Sequence, residues 1–365
     1  MAAYTTIDNP ELYFQTEIYT GNGTDGRTIT LSGSEDMQPD LIWIKNRGQT
    51  DNHHLFDSVR GVNKAVSSST TNAELDAPSS GYVSGFASDG FTVTSGSSAD
   101  DNVNKNTETY VAWCWKAGTS FTNDASATSV GSVDSTGSIN TTAGFSIMSW
   151  TSLASGSNYT IAHGISKPAV ILMKGRHESN NWMVYHHKNT SAPETDYLMI
   201  DDTAATADYP VWNDTAPTSS VMSLGTWSGL DDGGTMIAYI FAEKQGFSKF
   251  GSYTGNNSND GNFVWLGFRP AFLLAKDAGS GQHWHLIDNT RETSNDDDAA
   301  QLSPNNNSTE STVRTDRGTA KVDFLSNGFK LRSDGSSFNG TGSFIYLAFA
   351  EAPFVNSEGV PCNAR

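Results

Sequence analysis

Three short apolar runs set the pattern of the chain. Each opens on a proline and closes on a lysine: Pro39-Asp-Leu-Ile-Trp-Ile-Lys45, Pro168-Ala-Val-Ile-Leu-Met-Lys174 and Pro270-Ala-Phe-Leu-Leu-Ala-Lys276. A run of this length between polar stretches predicts a buried strand, and a proline fits its start, where no ladder hydrogen bond is yet required of the nitrogen. After each lysine a polar, turn-prone stretch leads into a second apolar run: His53-His-Leu-Phe-Asp57, Trp182-Met-Val-Tyr-His186 and Trp284-His-Leu-Ile-Asp288. The two runs predict a hairpin, with Lys45 beside the turn and Asp57 opposite Leu41 at the far end. A lysine in that place is expected to face solvent, its stem laid over apolar neighbours.

Two further segments recur in the same order. Phe14 to Asn22, Phe145 to Thr151 and Phe247 to Asn256 open each unit. Tyr110-Val-Ala-Trp-Cys-Trp-Lys116, Met236-Ile-Ala-Tyr-Ile-Phe-Ala242 and Phe344-Ile-Tyr-Leu-Ala-Phe-Ala350 close it. The closing segments alternate with period two. Val111, Trp113 and Trp115 share the face expected to fill the unit's own core. The opposite face, with Ala112 and Cys114, is also apolar and needs a cover: another unit, a long loop or a neighbouring protomer.

Four segments repeated three times predict an all-β chain of three tandem homologous antiparallel β-sandwiches of jelly-roll type. The expected boundaries are 1–118, a Ser/Thr/Gly-rich linker at 119–142, 143–245, and 246–365 with a C-terminal tail. The short join Glu243-Lys-Gln-Gly246 predicts that the second and third units form a rigid pair. No long amphipathic helix is expected; the stretch from Ser58 to Glu74 is the one place for a short one.

Composition narrows the function classes. The 365 residues carry 34 glycines and a formal charge of −18, a field that opposes a phosphate backbone, so no nucleic-acid partner is expected. No apolar run approaches the roughly 18 residues that span a bilayer, so no membrane insertion is expected, and the start carries no signal-peptide pattern. Cys114 and Cys362 make no disulfide framework.

Chemistry has little purchase. The chain has no Gly-x-Ser-x-Gly elbow, His-Glu-x-x-His, P-loop or dinucleotide fingerprint, so no catalytic residue, enzyme activity or cofactor is expected. His53-His54 and His186-His187 put adjacent rings on opposite strand faces, whereas His283 and His285 share a face and are the pair that could form a two-ligand arm. The acidic groups Asp100-Asp101, Asp201-Asp202, Asp231-Asp232 and Asp296 to Asp298 lack the spaced calcium-loop pattern and are expected to be solvated loops; no metal is assigned. The binding candidates are aromatics outside the repeated segments: Trp212, Trp227 and Tyr209, in loop-like sequence, where rings could stack on a sugar. The alternative is that both tryptophans plug the end of a sandwich.

Several strings are similar to a known family. Tyr-Thr-Gly-Asn-Gly (19–23), Pro-Asp-Leu-Ile-Trp-Ile-Lys-Asn-Arg (39–47), Leu-Phe-Asp-Ser-Val-Arg-Gly (55–61), Tyr-Val-Ala-Trp-Cys-Trp-Lys (110–116), Trp-Asn-Asp-Thr-Ala-Pro-Thr-Ser-Ser (212–220) and Gly-Phe-Ser-Lys-Phe-Gly-Ser-Tyr-Thr-Gly-Asn (246–256) resemble repeat proteins of marine tailed bacteriophages, cyanophage and pelagiphage among them. The resemblance covers nearly the whole chain. It implies a virion structural protein of a tail, fibre or capsid surface, built of concanavalin-like or jelly-roll modules, assembled in the host cytoplasm, with other virion proteins as partners. The apolar second strand face adds the expectation of a homo-oligomer, and Trp212 and Trp227 that of host-surface carbohydrate as a further partner.

Overall fold

The computed structural model describes residues 3–97, 102–154, 156–227, 232–293, 295, 300–310 and 321–362. The chain is all-β, built from antiparallel sheets. One strand order recurs three times in the large sheets, running from the opening strand to the closing strand, the lysine strand and its hairpin return. In the first sandwich these are Phe14–Thr20, Thr109–Trp115, Leu41–Asn46 and His54–Asp57; in the second, Phe145–Thr151, Thr235–Phe241, Val170–Gly175 and Met183–His186. In the third they are Ser248–Thr254, Ser343–Pro353, Phe268–Asp277 and His285–Asp288. A smaller sheet covers one face of each, centred on Gly90–Thr94, Val221–Leu224 and Gly328–Leu331.

The hairpins form in the expected register, with Leu41 opposite Asp57. The prolines fit differently in detail. Pro39 and Pro168 precede their strands, whereas Pro270 lies inside one, at a register shift that spares its missing N–H. The opening strands also align by one residue less than the sequence suggests. Phe14, Phe145 and Ser248 face Trp115, Phe241 and Phe349, so Ser248, not Phe247, is the equivalent of Phe14.

The lysines overturn the expectation of a solvent-facing cap. Lys45, Lys174 and Lys276 are fully buried, their ammonium groups turned back into the hairpin turns. Lys45 Nζ donates to the carbonyls of Asn46 and Gln49, and Lys276 Nζ to those of Asp277 and Ser280. Lys174 Nζ donates to Asn180 O at 2.8 Å and to Thr71 O of the first sandwich at 3.1 Å. Buried carbonyls need donors, and one ammonium supplies several. Loss of hydration lowers Lys174 and Lys276 to about 8.

The two faces of the closing strands are the reverse of the expectation. The small-residue face, Ala112 and Cys114 with their equivalents Ala238, Ile240 and Ala348, packs inside its own sandwich. The large-residue face packs against the other two sandwiches. Val111, Trp113, Trp115, Ile237, Tyr239, Phe241, Ile345, Leu347 and Phe349 lie in one core that all three share. At its centre the equivalent residues Trp115, Phe241 and Phe349 meet pairwise, with ring centroids 5.6–6.3 Å apart. The apolar face that argues for a neighbouring protomer is thus covered within the chain.

Residues 119–142 are not a loose linker. Thr119–Asn123 and Ser135–Asn140 pair with each other, and the second pairs with Phe145–Thr151, extending the second sandwich's sheet. Phe121 and Ile139 pack on that sandwich's core, which fixes the pair in place. The first sandwich joins the other two through the core that all three share. Between Ser58 and Glu74 the chain makes the strand Lys64–Ser67 and no helix.

Candidate functional site

Two of the joints between sandwiches hold buried ion pairs. After the hairpin return strand, Asp57-Ser-Val-Arg60 turns its side chains toward the second sandwich. Arg60 and Asp57 form an ion pair with both side chains wholly buried. Tyr239 Oη donates to Asp57 Oδ2 at 2.8 Å, and Arg60 Nη2 donates to Tyr239 Oη at 3.2 Å. Glu74 closes the set, bound by Arg60 at 3.2 Å and by Arg176 of the second sandwich at 2.9 Å. Burial alone would make Arg60 less basic; the negative groups around it, Asp57 first, hold its guanidinium above the ordinary value.

The same arrangement recurs where the third sandwich meets the first. Asp288-Asn-Thr-Arg291 forms the pair, and Trp113 Nε1 donates to Asp288 Oδ2 at 2.9 Å. Glu310 binds Arg291 at 2.9 Å and Arg47 of the first sandwich at 2.6 Å. Arg291 also lies 5.3 Å from the centre of the Trp113 ring. Where the second sandwich meets the third, the residues equivalent to these are uncharged. His186 Nε2 donates to Tyr346 O at 3.1 Å, Thr206 Oγ1 to Asn189 Oδ1 at 2.8 Å, and Thr206 N to Ala278 O at 2.9 Å. Loss of hydration lowers the basicity of His186 to about 3, which keeps it neutral. Sequence reasoning missed these joints, although Asp-x-x-Arg at 57–60 and 288–291 was there to be seen.

The predicted binding residues separate. Trp212 is fully buried, its Nε1 donating to Asp196 O at 3.0 Å and its ring edge-on to Tyr185. It is a plug and cannot stack on a ligand. Tyr209 is 43% exposed and stands 4.8 Å from Trp227 at 88°, while Trp227 packs on Tyr197 at 5.2 Å. Trp212 anchors the turn Pro210–Trp212, and Tyr209 immediately precedes it. Gly225 lets the neighbouring strand pass, since a Cβ there would lie 1.8 Å from Pro210 O. The result is a small aromatic platform with Tyr209 at its outer edge. A second exposed pair, Phe263 and Trp265, lies on a short edge strand, with Lys249 Nζ 4.8 Å from the Trp265 ring centre. Sequence gave no loop signal for it.

His283 and His285 do not form a two-ligand arm. His285 Nδ1 meets Gln301 inside the third sandwich, while His283 Nδ1 accepts from Asn305 and Asn306. Asp201 is not a solvated loop residue: its carboxylate accepts from Trp182 N and Asn181 Nδ2, and burial pushes it up to about 7. Asp100, Asp101, Asp231 and Asp296 to Asp298 lie outside the described residues. The exposed trio His177, Glu178 and Asp232 brings one ligand atom each within 4.8 Å, with His177 Nε2 2.7 Å from Asp232 Oδ2. Exposed groups of this kind are common without an ion, and the trio alone carries no metal assignment.

The chain belongs to the family described as Domain of unknown function (DUF7483), which matches residues 9–353 and so runs through all three sandwiches as one stretch. No curated protein matches the chain. No solved structure matches it.

Proposed function

We propose that the chain is a structural component of a tailed-phage particle, at a tail, fibre or capsid-surface position, where it makes contacts with other virion proteins. The observation that carries this reading is the shared core with its three buried joints. It makes a rigid block of three sandwiches, which suits a spacer or a presenting surface rather than a catalyst. The recurring residues serve packing, turn closure and joint formation. The resemblance of residues 39–47, 110–116 and 246–256 to marine phage repeat proteins points the same way, as does the jelly-roll or concanavalin-like character we assign to each sandwich. In this reading the particle assembles in the host cytoplasm. The test is mass spectrometry of purified particles, with a density map in which the three-sandwich block is located. Peptides of this chain at stoichiometric abundance are expected; their absence from infectious particles would end the proposal.

A second reading, carbohydrate attachment to a host surface, is favoured by the exposed Tyr209 edge of the aromatic platform. Stacking of sugar rings on such aromatics would give the contact. Glycan-array binding that disappears in Tyr209→Ala and Trp227→Ala is expected; an array with no hits removes the reading.

A further inference from the structure

The first sandwich contains a pocket of about 590 Å³ between its hairpin return strand and the loops that follow, with Asn307 of the third sandwich at one side. That volume is in the range of small-molecule sites. His54 lines it, only 4% exposed, and neither ring nitrogen has a hydrogen-bond partner among the described residues. A buried imidazole without partners is costly to keep unless something in the pocket meets it.

The third sandwich shows what a filled version looks like. His54 stands opposite Ile44, next to Lys45; His285 stands opposite Ala275, next to Lys276, so the two histidines are equivalent. Over His285 lies the Phe338 ring at 5.6 Å, and Gln301 Oε1 meets its Nδ1 at 2.9 Å. Phe338 O accepts from Tyr253 Oη at 2.7 Å, and the equivalent contact in the first sandwich is Tyr19 Oη to Val103 O, also 2.7 Å. Val103 therefore stands where Phe338 stands. Leu286 bridges Leu302 as Leu55 pairs with Val66, which puts Ala65 at the place of Gln301. Two large side chains are replaced by small ones, and the pocket lies over the histidine they would cover.

The lining decides the class of occupant. Among the described residues it is mainly hydroxyls and carboxamides, including Ser67, Thr70, Asn72 and Asn102, with one carboxylate, Asp51, and no lysine or arginine. An anion would meet that carboxylate and, among the described residues, no cation. One histidine and one aspartate are too few to hold a metal. Burial, with Lys45 nearby, lowers His54 to about 4, so at neutral pH its ring offers one donor and one acceptor, the pairing a hydroxyl needs.

We propose that this pocket binds a neutral sugar, with His54 and Asn102 hydrogen-bonding its hydroxyls. The site is separate from the aromatic platform and stands whether or not the chain belongs to a virion. The test is saturation-transfer NMR and calorimetry on the full chain with glucose, galactose, mannose, N-acetylglucosamine and their disaccharides, with inorganic phosphate and sialic acid as anionic probes. Saturable binding of at least one neutral sugar is expected, and none of the anions. Ala65→Gln with Val103→Phe, which copies the third sandwich, and His54→Phe should each weaken binding by at least about tenfold, a single hydrogen bond's worth or more. Asn72→Arg, at the exposed rim and without structural load, should do the same if a buried variant misfolds. Tyr209→Ala and Trp227→Ala should leave binding unchanged. No saturable binding by any of the neutral sugars, binding indifferent to Asn72→Arg and His54→Phe, or binding lost in Trp227→Ala would each overturn the proposal.

Discussion

Replacing Arg60 by Met tests whether the joints hold the three sandwiches as one body. Both side chains of the Arg60–Asp57 pair are fully buried, and the guanidinium also donates to Leu55 O at 2.8 Å and touches Tyr239 and Glu74. Methionine fills similar space but leaves the Asp57 carboxylate with neutral donors alone: Tyr239 Oη and the amides of Val59 and Arg60. Removing one partner of a buried pair costs about 3–5 kcal/mol, because a charge stays in low dielectric without its counter-ion. Adding Asp57→Asn to Arg60→Met removes that stranded charge while an amide oxygen still accepts the turn N–H groups. The double variant should therefore regain about 2 kcal/mol over the single one, a coupling of the size seen between contacting groups. Urea unfolding followed by tryptophan fluorescence reads both. Trp113 and Trp115 lie in the shared core, so one transition shifting as a whole is expected. A cost for Arg60→Met under about 1 kcal/mol, a double variant no better than the single one, or a transition that splits in the wild type would refute the reasoning.

Three other outcomes follow from the same geometry. Acid should destabilise the fold between pH 7 and 5: His54, His163 and His186 are lowered to about 4, 4 and 3, mainly by burial, and the three together outweigh Asp201, which burial raises to about 7 and which acts in the opposite sense. Unfolded histidines take up protons near pH 6.5 while the folded ones do not, so stability is complete above that pH and falls as pH drops toward the folded values, by up to about 1.4 kcal/mol per pH unit for each; melting temperatures from pH 7 to 5 should decline, less steeply in His54→Phe, and a flat profile would contradict the burial. Trp212→Ala should cost about 3–5 kcal/mol by opening a cavity, whereas Trp227→Ala, at the partly exposed platform, should cost far less; equal urea midpoints would place the two rings alike. Lys174→Met removes a side-chain donor to the Asn180 carbonyl and, among the described residues, one of two donors to Thr71 O and should cost about 2–4 kcal/mol in the same assay, with little change if the ammonium were merely a surface cap.

The hairpins were legible because period-two patterning and turn spacing are local, and the pairing of Leu41 with Asp57 follows from counting back from the turn. The layer each face belongs to was not. In Val111 to Trp115 both faces are apolar, and sequence does not say which looks at the chain's own small sheet and which at two other sandwiches. Size misled: the large residues fill the wider space where three sheets meet, and Ala112 and Cys114 fit the closer approach within one. The lysines failed for a related reason. A hairpin turn leaves several carbonyls pointing inward, and nothing along the sequence announces that one ammonium will satisfy them. Residues 119–142 have a composition that suits coil and strand alike; the open edge of Phe145–Thr151, reached across the short turn at 141–144, decides for strand. Of the binding candidates, Tyr209 and Trp227 reached the surface and Trp212 did not. The difference lies in Trp212's bond to Asp196 O, which no sequence pattern encodes.

The neutral joint explains itself once the charged two are known. At the second-to-third contact His186 stands for the aspartate, Asn189 for the arginine, Thr206 for the glutamate, Ala278 for the partner arginine and Leu347 for the aromatic donor. No single one of these exchanges would be tolerable alone, since each would leave a buried charge or donor without its opposite. Made together, they keep the backbone contact and discard the charge. Three identical subunits could not do this, because symmetry would impose one joint everywhere. A single chain with three like sandwiches can vary each contact independently. The same freedom lets Ala65 and Val103 open a pocket in the first sandwich while Gln301 and Phe338 keep it shut in the third. Where the shared core fixes the architecture, the positions that differ between equivalent places are those at which a particular role can be carried: the histidine is the same in the first and third sandwiches, but only where Ala65 and Val103 stand beside it are both ring nitrogens without a hydrogen-bond partner among the described residues.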